Sequence, residues 1–90
     1  MRKPCYTKRF QKDVEKAKKQ GKNIQKLKAV LQLLVEGKPL PRKYSNHRLK
    51  GEYADCSECH IEPDWLLIYI KTTKTDITFV RTGSHAELFR

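Results

Sequence analysis

The chain has 90 residues, a length that supports one modest hydrophobic core, and we expect a single domain over residues 1–90. Its 20 Lys and Arg against 10 Asp and Glu give a net charge of +10, which favours a polyanionic partner such as nucleic acid. The longest apolar run, Trp65 to Ile70, is far shorter than the about 20 residues of a membrane-spanning helix, and no export signal is recognisable, so we expect a cytoplasmic protein without membrane contact.

Two amphipathic helices are predicted in the first half of the chain. Apolar residues recur at helical spacing over Lys8 to Gln20, and Thr7 is a suitable cap. A second periodic run from Ile24 to Val35 follows the cap residue Asn23 and stops at Gly37. Because only a short connection joins the two helices, we expect them to be antiparallel.

A long loop and three short strands are predicted to follow. The segment Lys38 to Gly51 is rich in Pro, Lys, Arg and Asn, which is typical of a loop. The predicted strands are Tyr53 to His60, Trp65 to Lys71 and Asp76 to Ser84, with a tight turn at Glu62, Pro63 and Asp64. This order predicts an α+β fold in which two antiparallel helices pack on one face of a twisted, mainly antiparallel sheet and the other face stays free.

Five polar residues in the second half form a candidate catalytic cluster. The turn brings His60 close to Asp64, and strand alternation places Arg81 and His85 on one face unless a bulge intervenes. His47 lies in the long loop. Cleaving RNA without a metal needs a base for the ribose 2′-hydroxyl, an acid for the leaving 5′-oxygen and cations for the phosphorane. Histidine, aspartate and arginine can supply all three.

Several of these residues also have a structural interpretation. Each histidine can be a surface or hydrogen-bonded structural residue, and Arg81 can be a surface cation or the ion-pair partner of Asp64. Trp65, Tyr53 and Phe89 can stack on unpaired bases near such a site. Trp65 can equally be a core residue, because it begins the buried strand.

The cysteines match two patterns that we do not expect to be used. Cys56-Ser57-Glu58-Cys59-His60 fits both a Cys-x-x-Cys motif and the Cys-x-x-Cys-His haem attachment pattern. Covalent haem needs export, a structural zinc usually needs a second ligand pair, and residues three apart in a strand point to opposite faces. We therefore expect no cofactor, no metal and reduced thiols.

Basic residues cover both predicted helices. They can bind phosphate backbones without reading sequence, or they can form an ordinary solvated face. The set comprises Lys8, Arg9, Lys12, Lys16, Lys18, Lys19, Lys22, Lys26 and Lys28.

Two blocks of sequence carry a specific family resemblance. His60-Ile61-Glu62-Pro63-Asp64-Trp65-Leu66-Leu67-Ile68-Tyr69 and Arg81-Thr82-Gly83-Ser84-His85-Ala86-Glu87-Leu88-Phe89 closely resemble the YafQ branch of the RelE/ParE toxin superfamily. The resemblance extends back through His47-Arg48-Leu49-Lys50-Gly51 and more loosely across the helical half. It implies a fold like that of microbial ribonucleases and an endoribonuclease toxin that cuts messenger RNA in the ribosomal A site.

The resemblance also implies the site residues and the partner. By position, the catalytic set falls on His47, His60, Asp64 and His85, and the RNA-binding set on Arg81, Trp65, Phe89 and Lys50. We expect His85 to be the acid, His60 or Asp64 the base, and Arg81 a phosphate contact. At Ser57 the chain departs from the family, whose members often carry Arg there. A cognate acidic antitoxin, partly disordered and folding over the basic helices, is the expected partner in a hetero-oligomer, alongside ribosome and messenger RNA.

Two other functions fit part of this pattern. A non-catalytic RNA-binding or ribosome-associated protein would need the charge alone, and it should keep its effect when His85 or Asp64 is replaced. The gyrase-inhibiting ParE branch shares the fold but has no stated need for the histidines, so their presence argues against that branch.

Overall fold

The computed structural model describes residues 2–49, 56–71 and 75–89. Over these ranges a five-stranded sheet has the spatial order β1-β5-β4-β3-β2. In chain order the elements are β1 (Lys3–Tyr6), α1 (Lys8–Lys19), α2 (Ile24–Glu36), a 3₁₀ helix (Arg42–Tyr44), β2 (His47–Arg48), β3 (Ser57–Glu62), β4 (Trp65–Ile70), β5 (Asp76–Gly83) and α3 (His85–Leu88).

The sheet is mainly antiparallel. Strands β2 to β5 pair antiparallel with their neighbours, whereas β1 pairs parallel with β5. The predicted α+β class is confirmed, and β1 is an addition that the sequence pattern did not reveal. Strand β3 begins at Ser57 in the described part of the chain, and the predicted start at Tyr53 lies outside the described residues.

Both long helices begin and end close to the predicted residues. The Thr7 hydroxyl accepts a hydrogen bond from the Phe10 N–H at 2.9 Å, and Asn23 caps α2 through the Gln25 N–H at 3.1 Å. Gly37 ends α2 with a φ of 74°, a left-handed conformation that glycine adopts without a Cβ clash. The capping signals read from the sequence are therefore confirmed.

The main core lies between the two helices and one face of the sheet. Helix residues Phe10, Ala17, Leu27, Val30 and Leu34 pack there against strand residues Cys59, Ile61, Trp65, Leu67, Tyr69, Ile77 and Phe79. We call this side of the sheet the helix face. It holds every second residue of β4, as a strand with a period of two requires.

The opposite side, which we call the open face, is partly covered. Leu66 and Ile68 of β4 lie on it and are fully buried, because Leu88 of α3 packs against them. The prediction that this face stays free is therefore wrong around α3. Burial of both faces explains why β4 has an almost uninterrupted apolar sequence.

A β-bulge interrupts β5 and changes which residues share a face. Tyr69 pairs with Phe79 and Ile68 pairs with Arg81, so the register shifts past Val80. Residues directly opposite each other share a face, which places Arg81 with Ile68 on the open face while Phe79 stays on the helix face. The bulge that was named as the exception to simple alternation in this strand is therefore present.

Among the described residues, no helix is both long and apolar enough to span a membrane.

Candidate functional site

A tight hairpin places His60 and Asp64 at the same end of the sheet. Glu62 pairs with Trp65, so Pro63 and Asp64 alone form the turn between β3 and β4. His60 pairs with Leu66 and thus lies on the open face. The hairpin geometry expected from the sequence is confirmed.

A short helix, and not the last strand, carries His85. Ser84 caps α3 in a capping box, in which its hydroxyl accepts from the Glu87 N–H at 3.2 Å and the Glu87 carboxylate accepts from the Ser84 N–H at 2.8 Å. Strand β5 ends at Gly83. The expectation that strand alternation positions His85 is therefore wrong, because the helix turn after Ser84 positions it.

Asp64 holds the imidazole of His85. Its Oδ1 atom accepts from the backbone N–H of His85 at 3.0 Å and lies 2.8 Å from Nδ1 of the ring. These hydrogen bonds, the backbone one first, hold the pKa of Asp64 below its usual value. With Nδ1 engaged, the imidazole presents Nε2 away from the carboxylate.

Two histidines and an aromatic ring meet on the open face. The rings of His60 and His85 have centroids 5.6 Å apart in an edge-on arrangement, and Phe89 lies beyond His85 at 6.3 Å. Phe89 is one of the large apolar residues that remain exposed, at 43%. The structure thus brings together His60, Asp64, His85 and Phe89 from the predicted set.

Glu58 is a candidate site residue that sequence reasoning missed. It is only 5% exposed, and its Oε1 lies 3.5 Å from Nε2 of His60. It pairs with Ile68, so it shares the open face with His60. The available signal was its position two residues before His60 in a strand, which places both side chains on one face.

Arg81 pairs with Asp13 of helix α1. Its Nε and Nη2 donate to the two carboxylate oxygens of Asp13, both at 3.0 Å, and the Thr82 N–H donates to the same carboxylate at 3.2 Å. The Arg81 and Asp13 side chains are 15% and 13% exposed. The sequence suggested that Arg81 could be a surface cation or the ion-pair partner of Asp64. The partner is Asp13 instead, so the predicted pairing with Asp64 is wrong.

Trp65 lies in the core, with 1% of its surface exposed. Its indole N–H donates to the Thr82 hydroxyl at 3.0 Å, and Thr82 in turn donates to the Leu66 carbonyl at 2.6 Å. The ammonium of Lys22 lies 5.9 Å from the centroid of the Trp65 ring. The core interpretation therefore fits Trp65, and stacking on RNA would require its ring to become exposed.

The remaining predicted residues lie at or beyond the limits of the described ranges. The backbone of His47 pairs with that of Glu58. Strand β2 therefore lies next to β3 at the residue that contacts His60. The predicted roles of Lys50 and Tyr53 lie outside the described residues. Ser57 pairs with Tyr69, and its side chain therefore belongs to the helix face, away from His60.

The cysteines do not converge. Cys59 is buried on the helix face, where burial and then the nearby Glu58 raise the pKa of its thiol to about 12, whereas Cys56 packs on the open face. Cys5 is an exposed thiol of β1. Within residues 2–49, 56–71 and 75–89, no three His, Cys, Asp or Glu side chains are arranged to hold a metal ion.

The fold and the matched sequence define the class of protein. Residues 2–90 match the family model described as the bacterial toxin of type II toxin-antitoxin system, YafQ. The chain is 44% identical over 85 residues to the mRNA interferase toxin YafQ of Escherichia coli strain K12, covering 93% of this chain and 91% of the relative. It belongs to the YafQ toxin family.

Solved structures agree with this assignment. A crystal structure of YafQ from E. coli strain BL21(DE3) has a TM-score of 0.94 and 40% identity, with both chains covered completely. The toxin in a crystal structure of the E. coli DinJ-YafQ complex has a TM-score of 0.91 and 42% identity, again over both whole chains. A metal-bound toxin from Helicobacter pylori has a TM-score of 0.91 and 40% identity, covering 99% of this chain and all of the other.

Proposed function

We propose that this chain is an endoribonuclease toxin that cleaves messenger RNA by acid–base catalysis without a metal. The observation that carries the proposal is the pair of imidazole–carboxylate couples on the open face, Glu58 with His60 and Asp64 with His85, whose rings are 5.6 Å apart. Two such couples give one group that accepts a proton and one that donates it, close enough to act on one phosphodiester.

In the proposed reaction, His60 is the base. It removes the proton of the ribose 2′-hydroxyl, and the 2′-oxygen attacks phosphorus as the bond to the 5′-oxygen breaks. The electron pair leaves on that 5′-oxygen, which takes a proton from His85. The products are a 2′,3′-cyclic phosphate and a 5′-hydroxyl end. The buried carboxylate of Glu58 stabilises the imidazolium that His60 becomes.

Asp64 acts on His85 and is not the base in this proposal. Because the carboxylate accepts from Nδ1 of His85 at 2.8 Å, it fixes the ring in the orientation from which His85 donates its proton through Nε2. The earlier alternative of Asp64 as the base has less support, since both hydrogen bonds to its Oδ1 come from His85.

The cationic contribution of Arg81 is reduced in this arrangement. Asp13 offsets the guanidinium charge through two hydrogen bonds, so we propose that Arg81 mainly positions β5 next to the cluster. His47 and Lys50 remain proposed contacts of the RNA phosphates. Phe89, exposed beside His85, is the proposed stacking surface for an unpaired base.

The proposed partners are messenger RNA, the ribosome and an acidic antitoxin, all encountered in the cytoplasm by a single-domain toxin. The net charge of +10 supports each of these polyanionic or acidic partners. The E. coli complex of DinJ with YafQ supports an antitoxin that forms a hetero-oligomer with this chain.

The test is RNA cleavage by purified protein in an in vitro translation reaction, with RNA 5′ ends mapped. We expect the unmodified protein to produce new 5′ ends and His85→Gln to lower the cleavage rate by roughly 10²- to 10⁴-fold. Lys28→Gln, which removes a charge from an exposed position of α2, serves as the control and should keep most of the activity. Translation arrest without new RNA ends, unchanged in His85→Gln, would establish the non-catalytic binder instead.

A further inference from the structure

A depression of about 540 Å³ lies at the edge of the sheet beside the catalytic cluster. The residues that line it come from α2, the 3₁₀ helix and its C-cap, and the end of β3 with the turn that follows. They are Lys26, Lys43, Tyr44, Ser45, His60, Ile61, Glu62 and Pro63. The volume is within the roughly 300–1,000 Å³ of pockets that hold small ligands.

His60 connects this pocket to the cluster. It is the one member of the cluster among the described residues that line the pocket, whereas Phe89 lies beside His85 and is not part of that lining. An RNA strand whose scissile phosphate lies between the two histidines would therefore place one flanking nucleotide near Phe89. The other flanking nucleotide would enter the pocket.

The pocket offers both kinds of contact that a nucleotide uses. Its described lining carries two lysines against one carboxylate, and the ammonium of Lys26 is already 3.1 Å from Glu62. Lys43 is therefore the pocket lysine that we expect to contact a phosphate. Its ammonium lies 5.2 Å from the centroid of the Tyr44 ring. The half-buried Tyr44 ring and the exposed Pro63 provide apolar surface for a base.

We propose that this pocket binds the nucleotide on the 5′ side of the cleaved bond, the one whose 2′-hydroxyl attacks. The proposal rests on the proposed function, in which His60 is the base and must therefore contact that ribose. In this arrangement Lys43 contacts the phosphate backbone, and Tyr44 and Pro63 contact the base. The pocket thereby sets the sequence preference immediately upstream of the cut.

The first test measures binding without cleavage. The 3′,5′-bisphosphates of adenosine, guanosine, cytidine and uridine, which carry both phosphates of the upstream nucleotide, are titrated into the unmodified protein and followed by NMR. We expect the resonances of Tyr44 and His60 to shift together, and Lys43→Ala to weaken the affinity roughly three- to fivefold. Lys43→Arg should restore most of it.

The matched control is Arg42→Ala, which removes the same charge from the adjacent exposed residue of the 3₁₀ helix, a residue outside the pocket lining. We expect its nucleotide affinity to equal that of the unmodified protein. If Arg42→Ala and Lys43→Ala weaken nucleotide affinity equally, the loss reflects net charge and not the pocket, and the proposal is overturned. Inorganic phosphate that shifts Tyr44 as strongly as the nucleotides would also overturn it, because the pocket would then be a simple anion site.

The second test compares cleavage sites. Mapped RNA ends should show a changed nucleotide preference on the 5′ side of the cut in Tyr44→Leu, with the preference on the 3′ side unchanged, because Tyr44 is the proposed base contact. Phe89→Ala should show the reverse pattern. Cleavage with identical preferences in Tyr44→Leu would refute the pocket while leaving the nuclease intact. Nucleotide binding at Tyr44 by a protein that cleaves no RNA would instead refute the nuclease.

A protein partner is the competing occupant. If Lys43→Ala leaves nucleotide affinity unchanged but weakens the complex with the antitoxin, the pocket belongs to that interface and the proposal is wrong.

Discussion

The two carboxylates of the site act on their histidines in different surroundings. Glu58 is almost fully buried, so water screens its interaction with His60 little. The Asp64 side chain is 69% exposed and acts through directed hydrogen bonds to His85 instead. The interaction between Glu58 and His60 is therefore strong because little water screens it. The interaction between Asp64 and His85 depends on the geometry of its hydrogen bonds.

We expect Asp64→Asn to lower the cleavage rate by roughly 10- to 100-fold, less than loss of His85 itself. The amide oxygen can still accept from the His85 backbone N–H, but it no longer stabilises a charged imidazole. The measurement is the single-turnover cleavage rate of the variant and of the unmodified protein under the same conditions. Equal rates would contradict this role.

The hydrogen bonds from His85 lower the pKa of Asp64. The direction of this shift determines how the stability contributed by the contact depends on pH. This contact contributes stability above the ordinary aspartate pKa, and the contribution is lost as pH falls through the lowered value in the folded protein. The pairing of Asp64 with His85 should therefore persist in mildly acidic solution. NMR titration of the Asp64 carboxyl carbon measures this directly, and a midpoint at or above the ordinary value would contradict it.

Arg81 and Asp13 form an ion pair, and replacing either partner alone should lower the stability of the protein. We expect Arg81→Gln or Asp13→Asn to lower the free energy of unfolding by roughly 3 kcal/mol each, because either change leaves a nearly buried charge alone. The double variant should lose less than the sum of the two, and urea denaturation of all four proteins measures the coupling. Strict additivity would show that the two side chains act independently.

At the level of elements, α3 determines where His85 lies. This helix has only four residues, and it is fixed by its capping box, by burial of Leu88 and by an ion pair between Glu87 and Lys16 of α1. Helices of this length do not form on their own, since nucleation is unfavourable. The position of the His85 ring therefore depends on contacts from two other elements, β4 and α1.

Glu87→Gln should destabilise the protein by about 1 kcal/mol at pH 7, because it weakens the cap and the ion pair. Lys16 and the Ser84 N–H lower the pKa of Glu87 to about 2. The ionised carboxylate thus contributes fully above its ordinary pKa of 4.5, and the contribution disappears as pH falls towards 2. Urea unfolding at pH 7, 4 and 3 should show the difference between the two proteins shrinking with pH, and a constant difference would exclude a charge effect.

The elements that the sequence predicts well are those with strong local signals. Both long helices have capping residues and helical periodicity, and the hairpin has a two-residue turn between apolar strands. Strand β1 has none of these, since Lys3-Pro4-Cys5-Tyr6 lacks alternation and is stabilised by pairing with β5. The signal for α3 was available in Ser84-His85-Ala86-Glu87, which matches a capping box.

The sequence predicts which residues belong to the candidate site better than it predicts how they are arranged. His60 and Asp64 follow from one turn, and the resemblance adds Phe89. The roles of Arg81 and Glu58 depend on contacts that no local pattern encodes: a bulge at Val80 rotates β5, and Asp13 reaches it from a helix 68 positions earlier in the chain. Non-local pairing of this kind is visible only in the folded molecule.

At the scale of the whole molecule, a net charge of +10 is confined to a body about 33 × 29 × 27 Å across. The screening length is about 30 Å at 10 mM salt and about 10 Å at 100 mM. Charges on opposite sides therefore repel each other at the lower concentration and are largely screened at the higher one. The free protein should be destabilised by its own charge.

We expect the thermal midpoint of the free protein to rise by a few degrees when NaCl is raised from 10 to 100 mM, because screening relieves this repulsion. Circular dichroism at 222 nm measures the transition. Sodium sulfate at equal ionic strength is the control, since a much larger rise in sulfate would indicate specific anion binding. A midpoint that stays constant or falls would show that attractive ion pairs outweigh the repulsion.

The parallel pairing of β1 with β5 also constrains when the protein can fold during its own synthesis. Thr7 donates to the carbonyl of Val80 at 2.7 Å across 73 positions of sequence, and β5 lies between β1 and β4. Neither the complete five-stranded sheet nor the contacts that position His85 can form before β5 has left the ribosomal exit tunnel. The candidate site is therefore among the last parts of the fold to be assembled during synthesis.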